Sequence, residues 1–547
     1  MQARPGAAPG SIIKRMTNAS YETGESSGRG RERSGNRSPL FLPSLIAAGY
    51  LLLHMLTASR YGYFRDALYY LACSKHLAWG YVDHPPLIVF FAWILRHTLG
   101  TSLQALILVT ALAGAARIVL TAAFARELGA GRFGTTLAAF LAAVPGVWWV
   151  TDHQFAMNAF EAVFWTGCAF VLLLMIKTGN PRLWLAFGAV AGLGLENKYS
   201  IAVFAFAVLA GVLLTPQRKL LFTPWLIAGG AVALVLFLPN LIWNVRHDWP
   251  FLELLHNIRA SGRDVVLSPP AFLAEQALLM NPVTLPIWLA GLSFFLFSRA
   301  ARPFRSFGWA FAITVAFFLI AHGKNYYSAP AYPPVLAAGA LVLERWLGSP
   351  RFEGLPRLRF AMKATLVVSL AAGVLLLFPV VLPVLPVDVY LRYQRHLPFP
   401  IPHSEHSSVG AALPQHYADE FGWPEMVAAV ARVYGSLPPN ERANAAILTS
   451  NFGEAAAVDF FGPRYGLPAA ICAHQSYYLW GPRNYTGEIV IRVGSPIDDI
   501  RPDFDAVVIA AQLDNPYALD FETRAILLCR GRKTSLQVAW PGLKNWD

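Results

Sequence analysis

The sequence predicts a mainly α protein, a polytopic membrane helix bundle with a C-terminal soluble α/β domain. Three observations point there. Of 547 residues, 55% are hydrophobic and only 14% charged, whereas soluble domains carry about 25% charged residues. Long apolar runs recur across residues 41–386. Beyond Pro386 they stop, and polar and acidic residues return.

Residues 1–40 are rich in Gly, Ser and Arg and lack apolar periodicity, which predicts a disordered cytoplasmic tail. Eleven apolar spans follow, at 41–58, 104–125, 133–150, 158–176, 183–195, 200–214, 223–243, 277–298, 307–322, 329–346 and 363–386. Most can cross a hydrocarbon core of roughly 30 Å as helices. The fifth and sixth are short and flank Glu196-Asn197-Lys198, which suits a hairpin in a thinned region or a partly re-entrant one. In residues 387–547, Ala445–Ser450 and Ala506–Ala511 read as buried strands. Glu425–Tyr434 and Phe521–Arg530 read as short helices, giving a small α/β domain.

The formal net charge of +12 raises the question of a nucleic-acid partner. The charge is divided, however: −4 from Asp388 onward and +16 before it. The basic excess belongs to the membrane half, where topology accounts for it. With the tail cytoplasmic, the inner segments hold 21 Lys and Arg against nine in the outer loops. The positive-inside rule therefore puts residues 387–547 outside. No nucleic-acid partner is expected.

Those outer loops gather the chemistry. They hold Arg65-Asp66, Asp83-His84, Asp152-His153, Glu196 with Lys198, Arg246-His247-Asp248, His256, and Lys324-Asn325-Tyr326-Tyr327. Charged groups from distant stretches thus collect at one membrane face, as a site at a lipid–water boundary requires. The chain has neither a P-loop nor a Rossmann glycine pattern, which disfavours a soluble nucleotide-sugar donor. The four cysteines show no zinc-ligand spacing. Cys472 and Cys529 share the outer domain, and spacing leaves open whether they pair.

Three patterns carry a resemblance. Arg65–Tyr70, with Asp66, leads into Trp79-Gly80-Tyr81-Val82-Asp83-His84-Pro85-Pro86-Leu87. Trp184 is followed by Gly192-Leu193-Gly194-Leu195-Glu196-Asn197-Lys198-Tyr199. Asn325-Tyr326-Tyr327 runs with Pro330 and Pro333 into a span. Together these resemble the bacterial family-39-type, PMT/ArnT-like GT-C membrane glycosyltransferases over roughly residues 41–345. Asn451-Phe452-Gly453-Glu454 and Trp480-Gly481-Pro482 add similarity further on.

The resemblance implies a polyprenyl-phosphate sugar donor and an extracytoplasmic acceptor at a bacterial inner membrane. It maps the family's catalytic aspartate onto Asp66. The family's Asp-Glu pattern is broken by Ala67, so no second carboxylate is assigned there. The chemistry agrees: a base must take the acceptor hydroxyl proton, and cations must stabilise the departing phosphate. Asp66 either is that base or caps its helix and pairs with Arg65. Lys198 either binds phosphate or pairs with Glu196. Lys324 and Tyr326 either meet the same phosphate or anchor the interface. Arg65, Tyr69, Asp83, His84, Asp152 and Glu196 are the expected sugar or acceptor pocket, with loop ordering the alternative for Asp83-His84 and helix capping for Asp152. No metal ligand is assigned, although a related enzyme class draws attention to His247, His256 and Glu196 as ligands of a divalent cation. The rival class is a transporter or lipid flippase, which would show charges at mid-membrane depth and inverted repeats.

Overall fold

In the computed structural model, each of the eleven apolar stretches is helical, and the structure describes residues 38–519 and 525–547. The tail expected at residues 1–37 lies outside those described. From Pro39 to Asp547 the chain forms one compact unit.

Among the described residues, five helices are long and apolar enough to cross a membrane: Leu103–Glu127, Asn158–Thr178, Pro224–Arg246, Arg302–Ile320 and Pro356–Val381. Two bent pairs raise the number to as many as seven. Arg132–Ala143 turns by 62° into Gly146–His153, where Pro145 has no N–H to continue the helix and takes an extended conformation. Pro269–Leu279 turns by 98° into Pro282–Phe297. There Asn281 adopts φ +68° and its side chain accepts from the Val283 N–H at 3.1 Å. The other four, Phe41–Thr57, Trp184–Asn197, Ile201–Leu213 and Tyr332–Leu347, have 17, 14, 13 and 16 residues. That is short of the roughly 20 a perpendicular crossing needs.

Small residues set how closely the helices approach, since lipid supplies little hydrophobic drive between them. A Cβ on Gly188 would stand 1.9 Å from the Gly229 carbonyl oxygen, so helices Trp184–Asn197 and Pro224–Arg246 touch backbone to backbone. The same holds between Gly291 and the Val335 carbonyl, at 2.0 Å.

The C-terminal part contains a five-stranded mixed sheet. Its strands are β1 (Ala446–Thr449), β2 (Ile471–Cys472), β3 (Ile489–Val493), β4 (Phe504–Ala511) and β5 (Ile526–Arg532), in the order β2-β1-β3-β5-β4. β1 pairs in parallel with β2 and β3, while β5 runs antiparallel between β3 and β4. Helix Trp423–Ser436 matches the helix expected near 425–434. The helix expected over 521–530 is corrected: from Ile526 this run is β5, because Ile-Leu-Leu-Cys is buried inside the sheet, where position overrides propensity. β4, expected to be buried, is an edge strand with Val508 and Ile509 exposed. Cys472 and Cys529 are both free and lie on β2 and β5. Two strands separate them, about 14 Å at ordinary strand spacing, too far for a disulfide.

This C-terminal part does not stand apart from the helices. Residues 67–73 share a hydrophobic core with Trp423, Ala455 and Ile491. Helix Phe452–Phe461, which follows β1, packs on helix Arg65–Cys73.

Gly188→Ala should lower stability in detergent by about 1–3 kcal/mol through overpacking. Gly230→Ala, whose Cβ meets nothing within 4 Å, should be neutral or stabilising. Denaturant unfolding of both variants checks the contrast, and equal behaviour would contradict it.

Candidate functional site

Asp66 sits in the first turn of helix Arg65–Cys73, where the unpaired N–H groups favour an anion. The segment before that helix is pressed against the C-terminal part. A Cβ on Gly62 would lie 1.9 Å from the Glu420 carbonyl oxygen, and the Arg65 N–H donates to the Asp419 carbonyl at 3.0 Å. The Arg65 side chain lies between two carboxylates, its Nε 3.7 Å from Asp66 Oδ1 and its Nη1 3.7 Å from Asp419 Oδ1. Its guanidinium also rests over the Phe452 ring at 5.4 Å.

Beside them opens a cavity of about 1100 Å³. Arg65, Asp66, Asp83, Lys198, Lys324 and Tyr326 all line it. The Asp66 side chain keeps 32% exposure, on the cavity side of an otherwise enclosed position. Burial raises its pKa above the ordinary aspartate value, against the opposing pull of Arg65. Asp83 Oδ1 accepts a hydrogen bond from Tyr69 OH at 3.0 Å, and that hydroxyl in turn accepts from the Ser476 N–H at 3.1 Å.

Both lysines on the wall have carboxylate company. Lys198 Nζ donates to Asn158 Oδ1 at 2.6 Å and to Glu161 Oε2 at 2.9 Å, and lies over the Tyr327 ring at 4.6 Å. Its partner is therefore Glu161, which Ser200 also bonds, rather than Glu196. Lys324 Nζ donates to Glu405 Oε1 at 2.7 Å and faces Asp264 Oδ1 at 3.3 Å. Burial alone would raise Glu405, but Lys324, with Arg65 and Arg263, outweighs it and holds the carboxyl down at about 2. Gln415 Nε2 donates to its other oxygen at 3.0 Å. The backbones on either side are tied by Val265 N–H to Ser404 O, 3.1 Å, and His406 N–H to Arg263 O, 3.0 Å. Helix Pro250–Ser261 adds Phe251, Leu254 and Ile258 to the wall.

Four expected pocket residues stand elsewhere. Tyr69 and His84 lie behind the wall. His84 packs between Tyr69, Tyr70 and Tyr81, and its Nδ1 donates to the Pro85 carbonyl at 2.9 Å. Asp152 turns away into the bundle, 2.8 Å from Arg117 Nη1 and accepting from Tyr50 OH at 2.8 Å. It neutralises an arginine inside helix Leu103–Glu127, where a lone charge is expensive. Glu196 is off the cavity wall, with Oε1 buried and lacking a hydrogen-bond partner. Among the described residues, no three His, Cys, Asp or Glu side chains are grouped to hold a metal ion. His247 instead stacks on Trp243, and its Nδ1 donates to the Trp243 carbonyl. Among the described residues, His247, His256 and Glu196 thus form no metal-binding group.

Sequence reading missed Glu161, Asp264, Glu405 and Asp419. Glu161 had a signal, being a carboxylate within an apolar span. The other three sit in loops whose approach to residues 65 and 324 only the fold creates.

The Glu405 carboxylate stabilises the fold above its unfolded value of 4.5, and that stability is lost as pH falls toward about 2. Unfolding midpoints followed between these limits should drop for wild type, with a flatter slope for Glu405→Gln. Parallel slopes would contradict the pairing.

Residues 83–243 match the sequence model of the dolichyl-phosphate-mannose-protein mannosyltransferase family. A lipid A galacturonosyltransferase, RgtD, from Rhizobium johnstonii is 29% identical over 212 residues, 37% of this chain and 43% of that protein. The chain thus spans less than half the length of that relative. ArnT from Cupriavidus metallidurans has a similar fold in the apo state, with TM-score 0.56 and 16% identity over 88% of this chain and 97% of that one. The same protein bound to undecaprenyl phosphate gives 0.55 and 15% over 90% and 98%. This helical, membrane-type chain thus shares the fold of ArnT along most of its length and is similar to the dolichyl-phosphate-mannose-protein mannosyltransferases over residues 83–243.

Proposed function

We propose that the protein transfers a sugar from a polyprenyl-phosphate donor to an acceptor outside a bacterial inner membrane. One observation carries this reading. Asp66, Lys198 and Lys324, far apart in sequence, face one cavity whose wall continues into apolar residues such as Val150, Leu278, Phe317 and Leu377. A polyprenyl phosphate needs such a place, with cations for its head and an apolar wall for its chain. The ArnT structure holding undecaprenyl phosphate and the lipid A activity of RgtD agree with it. The reading includes eleven crossings, a cytoplasmic N-terminus, and residues 387–547 as an external α/β domain.

In this mechanism Asp66 accepts the acceptor hydroxyl proton while the oxygen attacks the anomeric carbon. The new C–O bond forms as the bond to the phosphate oxygen breaks, and polyprenyl phosphate leaves with the bonding pair. A single displacement inverts the anomeric carbon. Lys198 and Lys324, with Tyr326 between them, take the phosphate. Each ammonium has three donors, so it can keep its carboxylate and still reach the ligand. Arg65 and Asp83 border the sugar, while Tyr69 holds Asp83 in place. The acceptor, whether protein, lipid or glycan, bears the attacking hydroxyl.

The purified protein, given a polyprenyl-phosphate sugar and lipid, peptide or glycan acceptors, should form a glycosidic product of inverted configuration. Asp66→Asn should reduce kcat by about 10²–10⁴-fold without unfolding. The wild-type rate should rise as pH increases through the Asp66 pKa, which burial sets above 3.8. Full transfer by folded Asp66→Asn would remove Asp66 as the base.

A further inference from the structure

We propose that the C-terminal part completes the active site by seating Arg65, and that Asp419 is a positioning residue acting on Asp66 through that arginine. The inference rests on the reading of Asp66 as base. It assigns residues 415–461 a role in the chemistry in addition to any role in folding.

The seat has three parts, each from a different stretch. Asp419 supplies charge and backbone together, with Oδ1 3.7 Å from Arg65 Nη1 and its carbonyl accepting the Arg65 N–H at 3.0 Å. Phe452 supplies a ring face under the guanidinium. Gly453 supplies room, since a Cβ there would stand 2.6 Å from Arg65 Cγ and 2.9 Å from Cδ. Helix Phe452–Phe461 is itself fixed at its start. Asn451 and Glu454 form a capping box, and the Glu454 carboxylate also accepts from Ser450 Oγ at 3.0 Å.

Asp419 has a property that a merely structural acid would not show. Its side chain is 1% exposed, it borders the cavity with Gln415 and Arg65 as its polar neighbours, and burial holds its pKa above the ordinary aspartate value. A carboxylate buried this far is costly and calls for an explanation. Sharing Arg65 with Asp66 provides one. While Asp419 draws Nη1, the guanidinium cannot close fully on Asp66, which stays 3.7 Å from Nε. The base thereby keeps a counter-charge without being locked into a tight, weakly basic pair. The remaining charged groups around Asp66 are Asp83 and His84 from the following loop and Glu405 from the C-terminal part, the last already tied to Lys324.

Two substitutions separate this account from general destabilisation, because they move the base in opposite directions. Asp419→Asn frees Arg65 to close on Asp66, so the acid limb of kcat against pH should shift to lower pH. Gly453→Ala pushes the Arg65 stem away, so the limb should shift to higher pH. Both should lower kcat by about 10–100-fold with the KM for donor little changed. Polyprenyl-phosphate sugar transfer by the purified full chain is the assay, with thermal unfolding as the check on folding. If Gly453→Ala does not fold, Asp419→Asn carries the test alone. Folded variants with wild-type kcat and an unmoved limb, or limbs moving in the same direction, would overturn the proposal. Absence of transfer by wild type would remove the reading of the site itself, a different result from inactive or unshifted variants.

Discussion

Arg65 is the point on which this structure turns. One guanidinium lies between Asp66, from helix Arg65–Cys73, and Asp419, from a loop more than three hundred residues later. Around it the chain has removed obstacles and added contacts. Gly62 allows the Glu420 carbonyl to approach, Gly453 leaves room for the arginine stem, and Phe452 covers its face. The candidate base, the cavity rim and the seating of the C-terminal part all depend on this junction.

The same economy of charge runs through the bundle. Isolated charges near hydrocarbon are expensive, so they occur with partners or at water-filled walls. Arg117 and Asp152 neutralise each other deep among the helices, with Tyr50 donating to the carboxylate. Lys198 pairs with Glu161, and Lys324 with Glu405 and Asp264, at the edge of the cavity. The first pair is closed off and holds helices together. The other two face the cavity, so their cations can serve a ligand as well as the fold. This distinction between a sealed pair and a cavity-facing pair separates structural charge from candidate chemistry here.

Much of the helical layout was legible because apolar runs in a membrane protein have one main use. The cluster of Asp66, Lys198 and Lys324 was legible too, since charge counting put their loops on one face. Partners were not. Glu196 is two residues from Lys198, yet helix geometry and the turn at Lys198 give the lysine to Glu161, one helix away. Asp152 read as a pocket acid because it ends a span, but the bend at Pro145 turns it toward Arg117. Strand β5 read as a helix because a short apolar run has no period of its own, and only its place between β3 and β4 decides. Asp419 carried no motif. Its importance comes from contact with a residue read from the other end of the chain.

The proposed function requires one cavity to receive a lipid phosphate, head at the cations and chain along the apolar wall. Native mass spectrometry of the purified protein with undecaprenyl phosphate, and with the phosphate-free alcohol, tests it directly. Wild type should retain the phosphate and not the alcohol, and Lys198→Gln should release it. Equal retention of both lipids, or of the phosphate by both proteins, would contradict it.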